Sequence, residues 1–246
     1  MDQLSATREF FPACVTADST APPAVAIFDL DGTVTRGDTF VAFLVCVLKK
    51  EPWRLHRCLQ LPYKTAMSAL GRISNDDLKV AFLSAILKGV TRDKIEKYAV
   101  EFAEKCARDM VKPAALVKIN WHRAKKHRLI LASASVDLYV PLLAGLLGFD
   151  QTVCTRVEWA DGRLTGRLLG SNLRGVAKLD AVRTILEKGR GQTIFAYSDS
   201  HLDFPLLAFA DHGVAVDADP ILLRDAPRSG IVTEFWQDAC GRGFGG

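Results

Sequence analysis

Residues Ala24-Val25-Ala26-Ile27-Phe28 form an apolar run of strand type that stops abruptly at Asp29-Leu30-Asp31-Gly32-Thr33. A buried strand ordinarily ends in turn residues that cost little. Two carboxylates one residue apart at the mouth of a sheet repel each other and are costly to desolvate. Something must offset that repulsion, and a bound divalent cation is the natural candidate.

The chain has 246 residues, enough for one large domain or a core with an inserted subdomain. Its net charge of +4 does not by itself imply nucleic acid, and no nucleic-acid partner is expected. The six cysteines, Cys14, Cys46, Cys58, Cys106, Cys154 and Cys240, are scattered, with no Cys-x-x-Cys or Cys/His cluster. They read as apolar residues of a reduced compartment, neither a disulfide framework nor a zinc site. The longest apolar run, Phe40 to Leu48, is too short to span a bilayer. The N-terminus lacks a secretory signature, so a cytoplasmic location is expected. Residues 1–23, with Pro12, Pro22 and Pro23, read as a flexible leader.

From Asp38 to about Met110 the pattern is helical. Pro52 suits a helix start, and Pro62 should kink or end that helix. Ser74-Asn75-Asp76-Asp77 resembles a helix start, and Thr91-Arg92-Asp93 reads as a cap for another helix. Strand and helix signals then alternate: a strand over 128–133, a helix over 136–147, a helix over 174–188, a strand over 193–197, a helix over 201–210 and a strand over 213–216. Between them, strands over 153–159 and 163–169 flank Asp161-Gly162, a strong hairpin signal. The expected fold is α/β: a Rossmann-like parallel sheet core with an inserted all-helical cap subdomain and a β-hairpin. Segments 24–37 and 113–232 would form the core, 38–112 the cap and 233–246 a Gly-rich tail.

Four elements fall at predicted strand ends or helix starts, where ligands bind in open parallel sheets. Asp29 and Asp31 follow the first strand, and Ser133 closes the second. Asp199 and Asp203 follow the strand ending at Tyr197, and Lys178 lies near the start of the preceding helix. Each alone has a plainer explanation. Asp-x-Asp-Gly can be a turn, although a calcium loop is excluded because Phe40 stands where a bidentate Glu belongs. Ser133 alone would be a helix cap, Lys178 a solvated lysine, and Asp199 with Asp203 a cap and a surface charge. Together they supply carboxylates for a cation, a hydroxyl donor and an ammonium, a set suited to a phosphoryl group with a metal.

This set resembles the haloacid dehalogenase-like phosphatase superfamily, in the branch with a helical cap after the first strand. That branch includes phosphoserine phosphatases, histidinol-phosphate phosphatases and a phosphatidylglycerophosphate phosphatase. The resemblance covers about residues 24–232. It implies Asp29 as nucleophile, forming an aspartyl-phosphate, and Asp31 as general acid and base. It implies Ser133, the backbone N–H of Ala134 and Lys178 as phosphate binders. It also implies Mg²⁺ held by Asp29, Asp199 and the backbone carbonyl of Asp31, with Asp203 as the supporting acid of that metal loop. Gly32 would let the backbone approach the phosphate, and Thr33 would brace the loop. The loop departs from the common Gly-Asp-Gly pattern, reading Ser198-Asp199-Ser200, with Leu202 where Asn is usual.

In this branch the cap chooses the substrate. Phe82 falls where phosphoserine phosphatases hold an Arg for the substrate carboxylate, and Asp38 falls where they carry an acid for the amino group. The missing guanidinium argues against phosphoserine. The cap also carries a basic, aromatic-studded stretch over 49–72, including Trp53, Arg54, Arg57 and Tyr63, with a local charge of +5. Its plain explanation is a solvated helical face. The sharper one is peripheral contact, through Arg54 and Arg57 among others, with an anionic membrane at its inner face. A lipid headgroup phosphate such as phosphatidylglycerophosphate is then the leading substrate. The alternatives are a soluble phosphorylated metabolite (phosphoserine, histidinol phosphate or a sugar phosphate), a phosphotransferase, and a non-catalytic phosphate-binding module.

Overall fold

The computed structural model describes residues 24–186 and 191–237. The leader expected over 1–23 lies outside them. Six parallel strands form the central sheet in the order β3-β2-β1-β6-β7-β8. They are β1 (Val25–Phe28), β2 (Arg128–Val136), β3 (Gln151–Thr155), β6 (Ile194–Ser198), β7 (His212–Val216) and β8 (Val232–Glu234). Every residue of β1 is fully buried, because the strand is central and covered on both faces. Ala26 and Phe28 pack into one apolar layer, Val25 and Ile27 into the other, following the two-residue period of a strand. The chain runs from β1 toward β2 and β3 on one side, and from β6 toward β7 and β8 on the other. The loops leaving β1 and β6 therefore diverge and open a crevice at the carboxyl edge of the sheet.

Helices α5 (Pro113–Ala124) and α6 (Val140–Leu147) cover one face, with α7 (Val176–Ile185), α8 (Phe204–Phe209) and α9 (Pro220–Asp225) on the other. Between β1 and β2 stand α1 (Thr39–Lys50), a 3₁₀ stretch over Pro52–Cys58, α2 (Leu61–Ala69), α3 (Asn75–Ile86) and α4 (Arg92–Asp109). In α4, Ile95, Ala99, Phe102 and Cys106 recur at helical spacing and are buried. Ser74 caps α3 by accepting from Asp77 N at 3.0 Å. Thr91 stands at the cap position of α4, but its side chain makes no capping bond. The 3₁₀ stretch stops at Cys58 and Pro62 falls in the first turn of α2, so one expected helix is two short ones.

Three expectations are corrected. The run over 153–159 is not one strand. It divides at Arg156 into β3, which joins the central sheet, and β4 (Val157–Ala160), which pairs with β5 (Arg163–Leu168). Asp161 and Gly162, with φ of 48° and 69°, make the turn. The hairpin docks on the cap, where Gly89 N donates to Leu164 O at 2.8 Å and Leu164 N to Val90 O at 3.0 Å.

The tail expected from residue 233 begins too early. β8 runs to Glu234, and Trp236 is 5% exposed against Tyr197, with its N–H donating to Asp217 Oδ1 at 2.8 Å. One strand pairing and one aromatic contact suffice here, and neither leaves a local periodicity.

Arg54 is not a surface cation. It is buried, paired with Glu51, and donates to Ile86 O at 3.1 Å and Lys88 O at 2.9 Å. Arg57 donates to Lys88 O and Ser84 O at 3.2 and 3.1 Å. Both side chains serve the otherwise unsatisfied carbonyls at the end of α3.

Trp236→Ala is expected to lower the unfolding free energy by about 3 kcal/mol in a urea titration. A loss below about 1 kcal/mol would show that the sheet edge does not rest on this ring.

Candidate active site

The acidic loop begins where β1 ends. Asp29 N donates to Tyr197 O at 2.9 Å, so the first acid is still held by the sheet. The chain then turns through Leu30–Val34, with Gly32 at φ 83°. A Cβ at Gly32 would lie 2.0 Å from Asp199 Oδ2, so only glycine lets the two loops meet. Thr33 ties them together: Asp199 N donates to Thr33 Oγ1 at 2.9 Å, and Thr33 Oγ1 donates to Asp199 Oδ1 at 3.3 Å.

The acids divide into two environments. Around Asp29, Lys178 Nζ lies 2.6 Å from Asp29 Oδ1 and 2.5 Å from Asp203 Oδ2. Ser198 Oγ also donates to Asp203 Oδ2, at 2.8 Å. Lys178 is 3% exposed and Asp203 2% exposed, so this is a buried bridge and not a surface pair. Burial and the neighbouring acids raise the Asp29 pKa to about 8 against the pull of Lys178. Burial likewise raises Asp199 to about 6. Lys178 moves upward too: burial opposes its charge, and the two carboxylates outweigh that.

Asp31 has no such cation in contact. Its Oδ1 accepts from Thr39 N and Thr39 Oγ1, both at 2.6 Å, and its Oδ2 accepts from Ser135 Oγ at 2.6 Å. Ser133 Oγ stands 3.5 Å from the same oxygen and accepts from Ser135 N at 2.9 Å. Burial raises the Asp31 pKa, while these hydrogen bonds pull the other way. One acid thus faces an ammonium and the other faces hydroxyls. Such unequal surroundings separate a charged role from a proton-carrying one.

Among the described residues, no three His, Cys, Asp or Glu side chains are assembled to hold a metal. Asp203 is turned to Lys178 and Ser198. The donor set that suits a hard divalent ion is narrower: Asp29, Asp199, whose charge acts on it and whose loop meets the first at Gly32, and a backbone carbonyl. One buried and one half-buried carboxylate with raised pKa values fit such an ion, whose charge would hold both ionised.

Above Asp31 lies a cavity of about 300 Å³ between α1, α3 and the carboxyl end of β2. Asp38 and Phe82 both line it. Asp38 caps α1 by accepting from Val41 N at 2.9 Å. Arg54 and Arg57 are not among its lining residues. Ala134 turns its carbonyl to Lys79 Nζ at 2.6 Å.

The sequence reading missed Thr39, Ser135, Lys79 and Lys112. Ser135 carried a signal, two residues beyond Ser133 on one strand. Lys79 carried one too, a helical turn before Phe82. Lys112 carried none. It is 1% exposed, its Nζ donates to Gly32 O, and it pairs with Asp217 Oδ2 at 2.7 Å, bracing the acidic loop from behind.

The sequence profile of haloacid dehalogenase-like hydrolases matches residues 26–208. The chain belongs to the haloacid dehalogenase-like hydrolase family. As a member with this site, it is a phosphoric monoester hydrolase. Protein CicA of Caulobacter vibrioides is 34% identical over 209 residues, spanning 85% of this chain and 90% of that protein. Phosphoserine phosphatase SerB1 of Mycobacterium tuberculosis is 25% identical over 217 residues, spanning 85% of this chain and 70% of that protein. A crystal structure of a protein of unknown function from Bordetella pertussis Tohama I superposes with a TM-score of 0.72 at 23% identity, over 86% of this chain and 97% of that one. That likeness shows a shared fold.

Gly32→Ala is expected to leave the circular dichroism spectrum unchanged and to lower the hydrolysis rate of p-nitrophenyl phosphate about 100-fold by separating the two loops. Full activity would mean that their close approach is dispensable.

Proposed function

We propose that this hydrolase is a Mg²⁺-dependent phosphatase working through an aspartyl-phosphate on Asp29. The observation that carries this reading is the buried Asp29 carboxylate at the mouth of the central strand, with Lys178 Nζ at 2.6 Å. Asp29, Asp199 and the backbone carbonyl of Asp31 would hold Mg²⁺. When bound, it supplies charge that offsets the repulsion between a carboxylate and a phosphate.

Asp29 attacks phosphorus as the bond to the ester oxygen breaks. Asp31 gives that departing oxygen its proton. Water then adds to phosphorus, Asp31 takes the water's proton, and the bond to Asp29 breaks to release inorganic phosphate. Burial favours the protonated form of Asp31 that the first step needs, and Thr39 and Ser135 hold its two oxygens in place. Lys178, the Ser133 hydroxyl and Ala134 N–H hold the phosphoryl oxygens where charge spreads. Asp203 keeps Lys178 oriented while Asp29 is occupied with phosphorus.

Asp29→Asn is expected to lower p-nitrophenyl phosphate hydrolysis with Mg²⁺ by more than about 1,000-fold. Retained turnover would overturn the reading.

For the substrate, one observation favours a phosphate carried on a lipid headgroup. The cap segment over 52–70 exposes Trp53, Leu59, Tyr63 and Leu70, with Leu59 at 80%, and residues 52–73 contain no Asp or Glu. Tyr63 stands in α2, and Leu59 and Leu70 flank its two ends, all three exposed. An exposed aromatic and aliphatic set in basic surroundings suits an anionic interface. No helix among the described residues is long and apolar enough to cross a membrane, so contact would be peripheral. Arg54 plays no part in it, since it is buried against the end of α3. The likeness to SerB1 supports phosphoserine instead, against the absence of a guanidinium at Phe82.

Co-sedimentation with phosphatidylglycerol vesicles is expected, and the double variant Leu59→Ser, Tyr63→Ser should weaken it about tenfold or more. Indifference to the vesicles would leave a soluble phosphorylated metabolite as substrate.

A further inference from the structure

The cap touches the phosphate-binding loop through one side chain of α3. Lys79 Nζ lies 2.6 Å from Ala134 O and 2.7 Å from Asn172 Oδ1. Thr155 Oγ1 donates to the same carbonyl at 2.7 Å and approaches the same amide oxygen at 3.1 Å. Asn172 Nδ2 donates to Asp76 Oδ1 at 2.7 Å, one turn earlier on α3. Asp76 and Lys79 stand three residues apart on one helix face, so α3 grips both ends of the Asn172 amide.

The carbonyl that Lys79 holds has a mechanical consequence. Ala134 O and Ser135 N belong to one planar peptide unit. Ser135 N donates to Ser133 Oγ at 2.9 Å. That bond uses an acceptor lone pair of the Ser133 hydroxyl and leaves its proton to be given forward. The forward direction is that of Asp31 Oδ2, 3.5 Å away, on the side where the proposed phosphoryl group would sit. Lys79 and Ser133 therefore bracket the same rigid unit, one from the cap and one from the core.

We propose that Lys79 is a positioning residue, fixing the 134–135 peptide from the cap so that the Ser133 hydroxyl is aimed when the cap lies over the site. This rests on the phosphatase reading above. Lys79 suits the task because an ammonium makes charge-assisted bonds to two acceptors at once, one on each side of the loop. Removing the cap's ammonium would leave the loop with Thr155 alone on that carbonyl. α3 would keep its own seat, because α2, the 3₁₀ stretch and β5 also pack against it.

The test compares Lys79→Met, Lys79→Arg and Asn172→Ala with the unaltered protein, using p-nitrophenyl phosphate and MgCl₂. Lys79→Met is expected to lower kcat by about 10- to 100-fold with KM changed less than about threefold, because a misaimed loop weakens transition-state contacts. Lys79→Arg should restore kcat to within about fivefold, since a guanidinium also reaches a carbonyl. Asn172→Ala removes the other acceptor, and with it the partner of Asp76, so that the hold of α3 on this side of the site is loosened while Lys79 itself stays in place. It should lose kcat in the same way, which keeps the test informative if Lys79→Met fails to fold by circular dichroism. Full kcat in folded Lys79→Met overturns the proposal. So does a loss confined to KM, which would make Lys79 a substrate contact. Inactivity of the unaltered protein would instead overturn the phosphatase reading on which the proposal stands.

Discussion

The rest of the structure is arranged around one buried ammonium between carboxylates. Lys178 bridges Asp29 and Asp203 in a place almost without water, and Asp199 adds a further negative charge nearby. Taken by itself this cluster is a poor contribution to stability, because desolvating ions costs more than one ammonium returns. It persists because its members are fixed by elements that fold for other reasons. Asp29 is tied to the neighbouring strand through its own amide, Asp199 is tied to Thr33, and Lys178 sits in the first turn of a helix packed on the sheet. Packing elsewhere holds the acids together, and their unrelieved field is what prepares the site for a cation and an electrophile.

The two acids of the opening loop differ through their neighbours alone. They are aspartates two positions apart, the first buried and the second half-buried. Asp29 meets an ammonium, and Asp31 meets two hydroxyls and an amide. Burial raises the pKa of both; against it stands a counter-charge at Asp29 and only neutral hydrogen-bond donors at Asp31. The proposed division between nucleophile and proton carrier follows from that difference without any difference in residue type.

The features legible in the sequence are those encoded within a few residues. The apolar run ending at Asp29, the Asp161-Gly162 turn, the Ser74 cap and the long stripe of α4 each announce themselves locally. What the sequence concealed depends on distant partners. Arg54 looked like a surface cation because Ile86 and Lys88, whose carbonyls it serves, lie more than thirty positions away. The division of 153–159 at Arg156 is set by which strands pair, since both halves are equally strand-like. β8 has three residues and no periodicity of its own. In the site, Asp29, Asp31, Ser133, Lys178, Asp199 and Asp203 could be selected by type and position, and the structure gathers them at one edge of the sheet. Thr39 could not be selected so, because nothing nearby in sequence marks its hydroxyl as the partner of an acid, and Ser135 offered only its place two residues beyond Ser133.

The brace behind the acidic loop has a further consequence. Gly32 leans on Lys112, Lys112 on Asp217, and Asp217 on the backbone of Trp236. The ribosome makes this acidic loop some two hundred residues before Trp236, the last of these supports. A nascent chain therefore carries the reactive acids well before it can hold them in register, and the sheet can close only after β6, β7 and β8 have been made. The register of the acidic loop is in this sense a late event of synthesis, set by residues made long after the loop itself.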